Sequence, residues 1–232
     1  MKVIILAGGL GTRLSEYTKT IPKPMIKING KPLLLHIMEH YSKYGHKDFY
    51  IALGYKGEII KNFFNKKFYD WNINLIDTGS KTMTGGRLKR IKKFIGKETF
   101  MMTYGDGLSN VNLKKLLNFH KKNKKLVTLT AVRPPARFGV LQLDGDNVSY
   151  FKEKSKLDEN WINGGFFVMK PDFFKSIKND TTFLEREPLE NAAKKGQLTA
   201  FRHTGFWQCM DTKRDKDRLE SIFLKGAPWL QK

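Results

Sequence analysis

Cysteine is almost absent. The single thiol, Cys209, among 232 residues cannot close an internal disulfide, which excludes a stapled secreted scaffold and points to a reducing compartment. Long apolar runs are absent too, and nothing approaches the roughly 18 residues that a membrane-crossing helix needs. The opening run Val3–Ala7 is shorter than the apolar region of a secretory leader, and it runs into glycines rather than a cleavage site. A cytoplasmic protein with no membrane partner is expected. Acidic residues are scarce, 22 against 43 lysines and arginines, giving a formal net charge of +21. The basic residues are spread along the chain, mostly where amphipathic helices would meet water. That pattern reads as a solvated surface rather than a nucleic-acid interface, although anionic small molecules would be drawn in. Histidines are few, and only His36 and His40 have a ligand-like spacing. They lie on an apolar helix stripe with no glutamate beside the first, which argues against a zinc site. No linker, repeat or low-complexity segment occurs, so residues 1–232 read as a single domain with a substantial core.

What the chain does contain is alternation. Val3–Ala7 is a continuous apolar run, as in a strand covered on both faces. Pro32 opens a helix carrying Leu34, Ile37, Met38 and Tyr41 at helical spacing, with Gly45 as its stop. Strand Phe49–Leu53, helix Gly57–Phe64 and strand Ile73–Ile76 follow. A helix marked by Leu88, Ile91 and Ile95 leads to strand Phe100–Thr103. A helix with Leu113, Leu116 and Leu117 then leads to strand Val127–Val132. This is βαβα order, which predicts an α/β, Rossmann-like fold with a mostly parallel sheet and helices on both faces. After Arg133 the rhythm changes. Val140–Leu143 and Val148–Phe151 flank the turn Asp144-Gly-Asp-Asn147, and Phe166–Met169 precedes a helix from Pro171. The second half therefore adds antiparallel strands.

Chemistry concentrates at a few points. Leu6-Ala-Gly-Gly-Leu-Gly-Thr-Arg13 turns a buried strand into a glycine loop, whose bare N–H groups can cradle an anion. Arg13 adds a fixed positive fork. The loop is not a dinucleotide fingerprint, because its third position is Leu14 and strand 49–53 does not end in an acid. Nor is it a Walker A loop, since Gly-Lys-Ser/Thr is absent. Lys23 stands between Pro22 and Pro24 on backbone that cannot be helical. Asp106, in Tyr104-Gly-Asp-Gly107, follows a strand at the carboxyl edge of the sheet; it could hold Mg²⁺ or merely cap a helix. Asp211 has the same two readings, with Thr212 and Asp215 as rival caps. Thr82-Met-Thr-Gly-Gly-Arg87 places two glycines and an arginine at a helix start, an anion or base-edge site or simply a loop. Asn163-Gly-Gly165 opens a strand, as a ligand contact or a bulge.

Taken in order, these motifs resemble the sugar-1-phosphate nucleotidyltransferase family. The general signature is Leu6–Leu14 with the lysine of Pro22-Lys-Pro24. The cytidylyltransferase branch is resembled by Asp77-Thr-Gly79, Met83–Arg90, Thr103–Gly107, Ile162–Phe167 and Phe206–Thr212. The resemblance spans essentially the whole chain and implies the nucleotide-diphospho-sugar transferase fold. It implies CTP and a sugar 1-phosphate as substrates, a CDP-sugar and pyrophosphate as products, and Mg²⁺ as cofactor. In that reading Leu6, Ala7, Gly8, Gly9, Gly11, Thr12 and Arg13 hold the nucleotide, with Thr82, Arg87 and Gly105. Arg13, Lys23, Asp106 and Asp211 are catalytic, and Asp106 and Asp211 share the metal. Glu153, Lys154, Asn163 and Gly164 face the sugar phosphate. A homo-oligomer is also implied. Three departures stand out. Ser155 replaces the proline usual after Glu153-Lys154, and Cys209 replaces the proline usual before Met210-Asp211. The stretch from Tyr69 to Asp77 lacks an insertion that glucose-specific relatives carry. The same chemistry with another nucleotide or phosphorylated acceptor, and a non-catalytic nucleotide-sugar-binding regulatory module, are the alternatives.

Overall fold

The computed structural model describes residues 1–65, 70–134, 139–152 and 160–231. At its centre lies the first apolar run, β1 (Lys2–Leu6). The chain leaves β1 through the short helix α1 (Ser15–Thr18) and a ribbon of β2 (Lys27–Ile28) with β3 (Lys31–Pro32). It returns through α2 (Leu33–Lys43) to β4 (Asp48–Leu53), parallel to β1. It continues through α3 (Gly57–Phe64) to β5 (Asn72–Asp77), parallel to β4. Helix α4 (Thr84–Ile95) then carries it back past β1, where β6 (Phe100–Tyr104) pairs in parallel on the free side. The order β5-β4-β1-β6 therefore reverses at β1. A crevice opens at such a switch point, outside the carboxyl ends of β1 and β6.

Beyond β6, β7 (Gly107–Ser109) departs from the sheet, and α5 (Leu113–Asn123) leads to β8 (Val127–Val132). The expected hairpin forms from β9 (Val140–Asp144) and β10 (Asn147–Lys152), with Asp144 opposite Asn147. Strands β11 (Ile162–Asn163) and β12 (Phe167–Met169) both run antiparallel to β8, and β12 also pairs with β6. Phe166 and Gly165 take positive φ, 48° and 75°. They interrupt this edge, so β12 begins one residue later than the apolar run. Helix α6 (Glu187–Lys194) and β13 (Leu198–His203) follow, with β13 parallel to β8. Both elements escaped the sequence reading. Helix α6 buries only Pro188, Leu189 and Ala192, and β13 has a half-exposed edge pattern without clean alternation. From Pro171 the chain forms a 3-10 helix, Pro171–Ser176, rather than an α-helix. Last come β14 (Trp207–Cys209), paired antiparallel with β7, and α7 (Lys213–Leu224).

The alternation of β1 explains the layering. Val3 and Ile5 pack with α2, α3, α5 and α7, while Ile4 and Leu6 pack with α4 and α6. Both faces are covered, so the strand is apolar from Val3 to Leu6. Among the described residues no helix is long and apolar enough to cross a membrane.

Three histidines are buried in this core. His36 and His40 on α2 bond the carbonyls of Ile28 and Val111, and His120 on α5 bonds Thr128 Oγ1. Burial holds all three below the ordinary imidazole range, His40 and His120 at about 4. In an unfolded chain they protonate near ~6.5, so below that pH the unfolded state binds more protons. Their contribution is present above that pH and is lost as pH falls toward the folded values. The urea midpoint is expected to drop steadily from about pH 6.5 to 4 and to level off above about pH 7. A midpoint constant across the acid window would contradict the burial of neutral imidazoles.

Candidate active site

The carboxyl end of β1 runs directly into the glycine loop. Gly11 takes a left-handed conformation, φ 65°, and starts a 3-10 turn at Thr12–Leu14. Among the described residues the amides of Gly9, Leu10 and Gly11 have no protein acceptor. They remain available to an anion, as in other backbone cradles. At the neighbouring strand end, Gly105 approaches so closely that a Cβ would meet the Leu6 carbonyl oxygen at 2.9 Å.

Four charged side chains meet beside this loop. Lys23 Nζ lies 2.8 Å from Asp106 Oδ2 and 2.6 Å from Asp211 Oδ1, and Arg13 Nη1 lies 2.8 Å from Asp211 Oδ2. These residues come from distant parts of the sequence, and local structure aims each one. Pro22 holds an extended conformation, φ −69° and ψ 147°, but Lys23 begins a single 3-10 turn, Lys23–Met25, where the flanking prolines predicted no helical backbone; a proline is tolerated in a first turn. The β7·β14 ribbon brings residue 209 opposite residue 107, and Met210 N donates to the Asp106 carbonyl at 2.8 Å. The two aspartates thus leave the end of one ribbon together. Neither serves as a cap. Asn112 caps α5, and α7 is capped by a box in which Thr212 and Asp215 serve each other's backbone. Asp215 Oδ2 also accepts from Asp211 N, which leaves the Asp211 carboxylate to the cluster. Burial pulls the Lys23 ammonium down, but the two carboxylates outweigh it and hold its pKa above the ordinary lysine range.

Arg87 reaches the loop and lines the same wall, and both of its Nη groups bond the protein. Nη1 bonds the carbonyls of Leu53 and Gly79 and the Thr78 hydroxyl; Nη2 bonds the carbonyls of Gly8 and Ser80. The glycines of Thr84-Gly-Gly-Arg87 are also accounted for by packing. The amides of Met83, Gly85 and Gly86 donate to the carbonyls of Asp180 and Thr182. A Cβ on Gly86 would lie 2.5 Å from the Asp180 oxygen. The start of α4 therefore docks segment 180–185 rather than offering free amides to an anion.

Two clefts share this wall. One, of about 310 Å³, is lined by Leu6, Ala7, Gly8, Gly9, Gly11, Thr12, Arg13, Thr82, Arg87 and Gly105, together with Lys23, Asp106 and Asp211. Every residue expected to hold the nucleotide is thus on one surface. The second cleft, of about 510 Å³, includes Asn163 and Gly164 and shares Arg13, Thr84, Tyr104, Asp106 and Asp211 with the first. Glu153, Lys154 and Ser155 lie outside the described residues. Sequence reasoning missed Glu185 in the second cleft. Its two oxygens accept from Tyr104 OH at 2.8 Å and Thr84 Oγ1 at 2.7 Å. Burial first, and then the Glu185 carboxylate, raise the Tyr104 phenol well above its usual range, so it stays a donor. Cys209 also lines this cleft, and burial beside the carboxylates pushes its thiol up to about 12, which keeps it protonated and unreactive.

Comparison with known proteins agrees with this geometry. Residues 2–208 match the nucleotidyl transferase family. The chain is 49% identical over 253 aligned positions to the glucose-1-phosphate cytidylyltransferase of Salmonella typhi, covering 99% of this chain and 98% of that protein. The enzyme of the same name from Salmonella typhimurium matches to the same extent, 49% over 253 positions. Among solved structures, HddC from Yersinia pseudotuberculosis has a TM-score of 0.77 at 27% identity, covering 96% of this chain and 99% of that one. The aligned length of 253 exceeds the 232 residues here, so the Salmonella proteins carry segments that this chain lacks.

The loop geometry separates two adjacent glycines. A Cβ at Gly8 would sit 2.2 Å from Arg87 Nη1 and 2.9 Å from Gly54 N, whereas at Gly9 nothing lies within 4 Å. Gly8→Ala is expected to cost about 1–3 kcal/mol by overpacking. Gly9→Ala should stay within about 0.5 kcal/mol, as at ordinary surface sites. Urea denaturation of both variants checks this, and equal losses would refute the packing of Arg87 against Gly8.

Proposed function

The chain belongs to the nucleotidyl transferase family, and from that premise we propose that it transfers a cytidylyl group from CTP to a sugar 1-phosphate, with α-D-glucose 1-phosphate as the preferred acceptor. The products are a CDP-sugar and pyrophosphate. One observation carries this reading: Arg13, Lys23, Asp106 and Asp211 converge on the wall that joins the two clefts. The names of the Salmonella relatives, matched over nearly the full chain, support the choice of base and sugar.

The chemistry follows from charge. An oxygen of the sugar phosphate attacks the α-phosphorus of CTP in line. The bond from that phosphorus to the β-phosphate oxygen breaks, and pyrophosphate departs on the opposite side. The attacking oxygen is already ionised, so no general base is needed, and none of the five histidines lines either cleft. The difficulty is bringing two polyanions together. Arg13 and Lys23 lower that repulsion at the junction of the clefts, and the loop amides hold the triphosphate still. Thr84, Tyr104 and Asn163 line the acceptor side with neutral groups that both donate and accept, and Glu185 adds a carboxylate, a set suited to hydroxyl groups.

The two carboxylates suit a divalent cation. They already bracket one positive group, the Lys23 ammonium. Mg²⁺ takes one or two carboxylates and completes its shell with substrate phosphates and water. Asp106 and Asp211 would hold it, and when bound it supplies charge neutralisation and orientation of the phosphates.

Pyrophosphate release from each nucleoside triphosphate against a panel of sugar 1-phosphates tests the assignment. CTP with glucose 1-phosphate is expected to give the highest kcat/KM. Lys23→Ala and Asp106→Ala are each expected to lower turnover by roughly tenfold or more, in line with the loss of a preorganised electrostatic contact. Near-normal turnover in both variants would reject the roles given to this cluster.

A further inference from the structure

A third concavity opens at another strand end. Strand β8 runs parallel to β13, with Val132 opposite His203, and Ile162 of β11 faces Val132 from the other edge. Just past that carboxyl end lies a cleft of about 310 Å³, equal in volume to the first cleft. Strand ends of this kind are where open α/β sheets hold ligands, and small-molecule sites begin at about 300 Å³. Trp207 is the one lining residue shared with the second cleft, and none is shared with the first.

The charge of its walls is one-sided. Arg133, just past β8, and Arg218, on α7, line the cleft together with Trp161; among the described residues no acidic side chain does. Arg202 of β13 adds a third guanidinium. Its central carbon lies 5.8 Å from the centre of a Trp161 ring, and that of Arg133 lies at 4.9 Å. Among the described residues none of the three arginines has an ion pair or a hydrogen bond. Like charges gathered from three parts of the chain oppose one another, and an indole is only a weak counterweight. An anion placed among them relieves that repulsion.

The other walls narrow the class of anion. Phe206 and Trp207 add two aromatic side chains. Trp207 is fixed in place, its Nε1 donating to the Gly164 carbonyl at 2.8 Å. A guanidinium matches the forked oxygens of a carboxylate or a phosphate. A phosphate monoester carries between about −1.5 and −2 charges at neutral pH, so it answers two or three arginines more fully than a carboxylate does. We propose that this third cleft binds a phosphate monoester carried on a ring, either a sugar or a nucleoside, with Arg133 and Arg218 on the phosphate and the aromatic walls against the ring. The site is separate from the two clefts at the clamp and stands whatever those clefts bind.

Equilibrium dialysis of the full chain, without divalent metal, tests this. CMP and glucose 6-phosphate are the probes, with cytidine and glucose as their uncharged counterparts. The wild-type protein is compared with the Arg133→Ala/Arg218→Ala double variant. Both arginines are exposed, so the variant should keep the wild-type urea midpoint. At least one phosphorylated probe is expected to fill an additional site on the wild-type chain that weakens by about tenfold or more in the variant. An additional site for CMP alone identifies a nucleoside ligand, and for glucose 6-phosphate alone a sugar. Cytidine and glucose should bind the two proteins alike. Equal binding of both phosphorylated probes to the two proteins would overturn the proposal, as would an equal loss for the uncharged counterparts. A change of oligomeric mass as the sole difference would also overturn it, because the arginines would then meet a second copy of this chain.

Discussion

The lysine clamped between two aspartates is the contact on which the site depends. Lys23 Nζ holds Asp106 and Asp211 within 2.8 Å and 2.6 Å, and these three residues come from three separate parts of the chain. Like charges that close would repel without the ammonium between them. Each partner is aimed by something other than the pair. A proline frame directs Lys23, the end of β6 delivers Asp106, and the β7·β14 ribbon with the capping box of α7 places Asp211. The cluster therefore reports the fold as a whole. A shift in β1, β6 or α7 would be felt first as a misplaced charge.

Around that clamp, charge is arranged in layers. Arg13 is open to solvent, Lys23 is mostly buried, and Arg87 is buried beneath the loop. Away from that shared wall, the second cleft is lined by the hydroxyls of Thr84 and Tyr104, the amide of Asn163 and the carboxylate of Glu185. A molecule with a phosphate at one end and hydroxyls at the other matches this polarity. The excess of basic residues over the wider surface adds a general attraction for such metabolites. Selection between them arises at the walls.

Much of this was legible in the sequence, and the parts that were not have physical reasons. The run Val3–Ala7 announced a central parallel strand because both faces of a covered sheet demand apolar residues. The glycine loop, Lys23 and the two aspartates could be found because close backbone approach, a proline frame and strand-end acids leave visible residue choices. Helix α6 and β13 were invisible, since a short stripe and an edge strand carry little periodic signal. Glu185 had no local signature; its role exists only because segment 180–185 docks on the start of α4. Arg87 and its glycines were visible but ambiguous. Residue type shows that a fork of donors is present, not whether carbonyls or a ligand will take them. Gly85 and Gly86 likewise signalled close approach, but by backbone instead of a phosphate.

The central claim is that Lys23 and Asp211 act as one unit, and a double-mutant cycle on turnover measures this most directly. Lys23→Ala, Asp211→Ala and the double variant are compared at saturating CTP and glucose 1-phosphate. The account predicts strong non-additivity, with the double variant within about threefold of the slower single variant, as for residues that work together. Losses that multiply independently would contradict it.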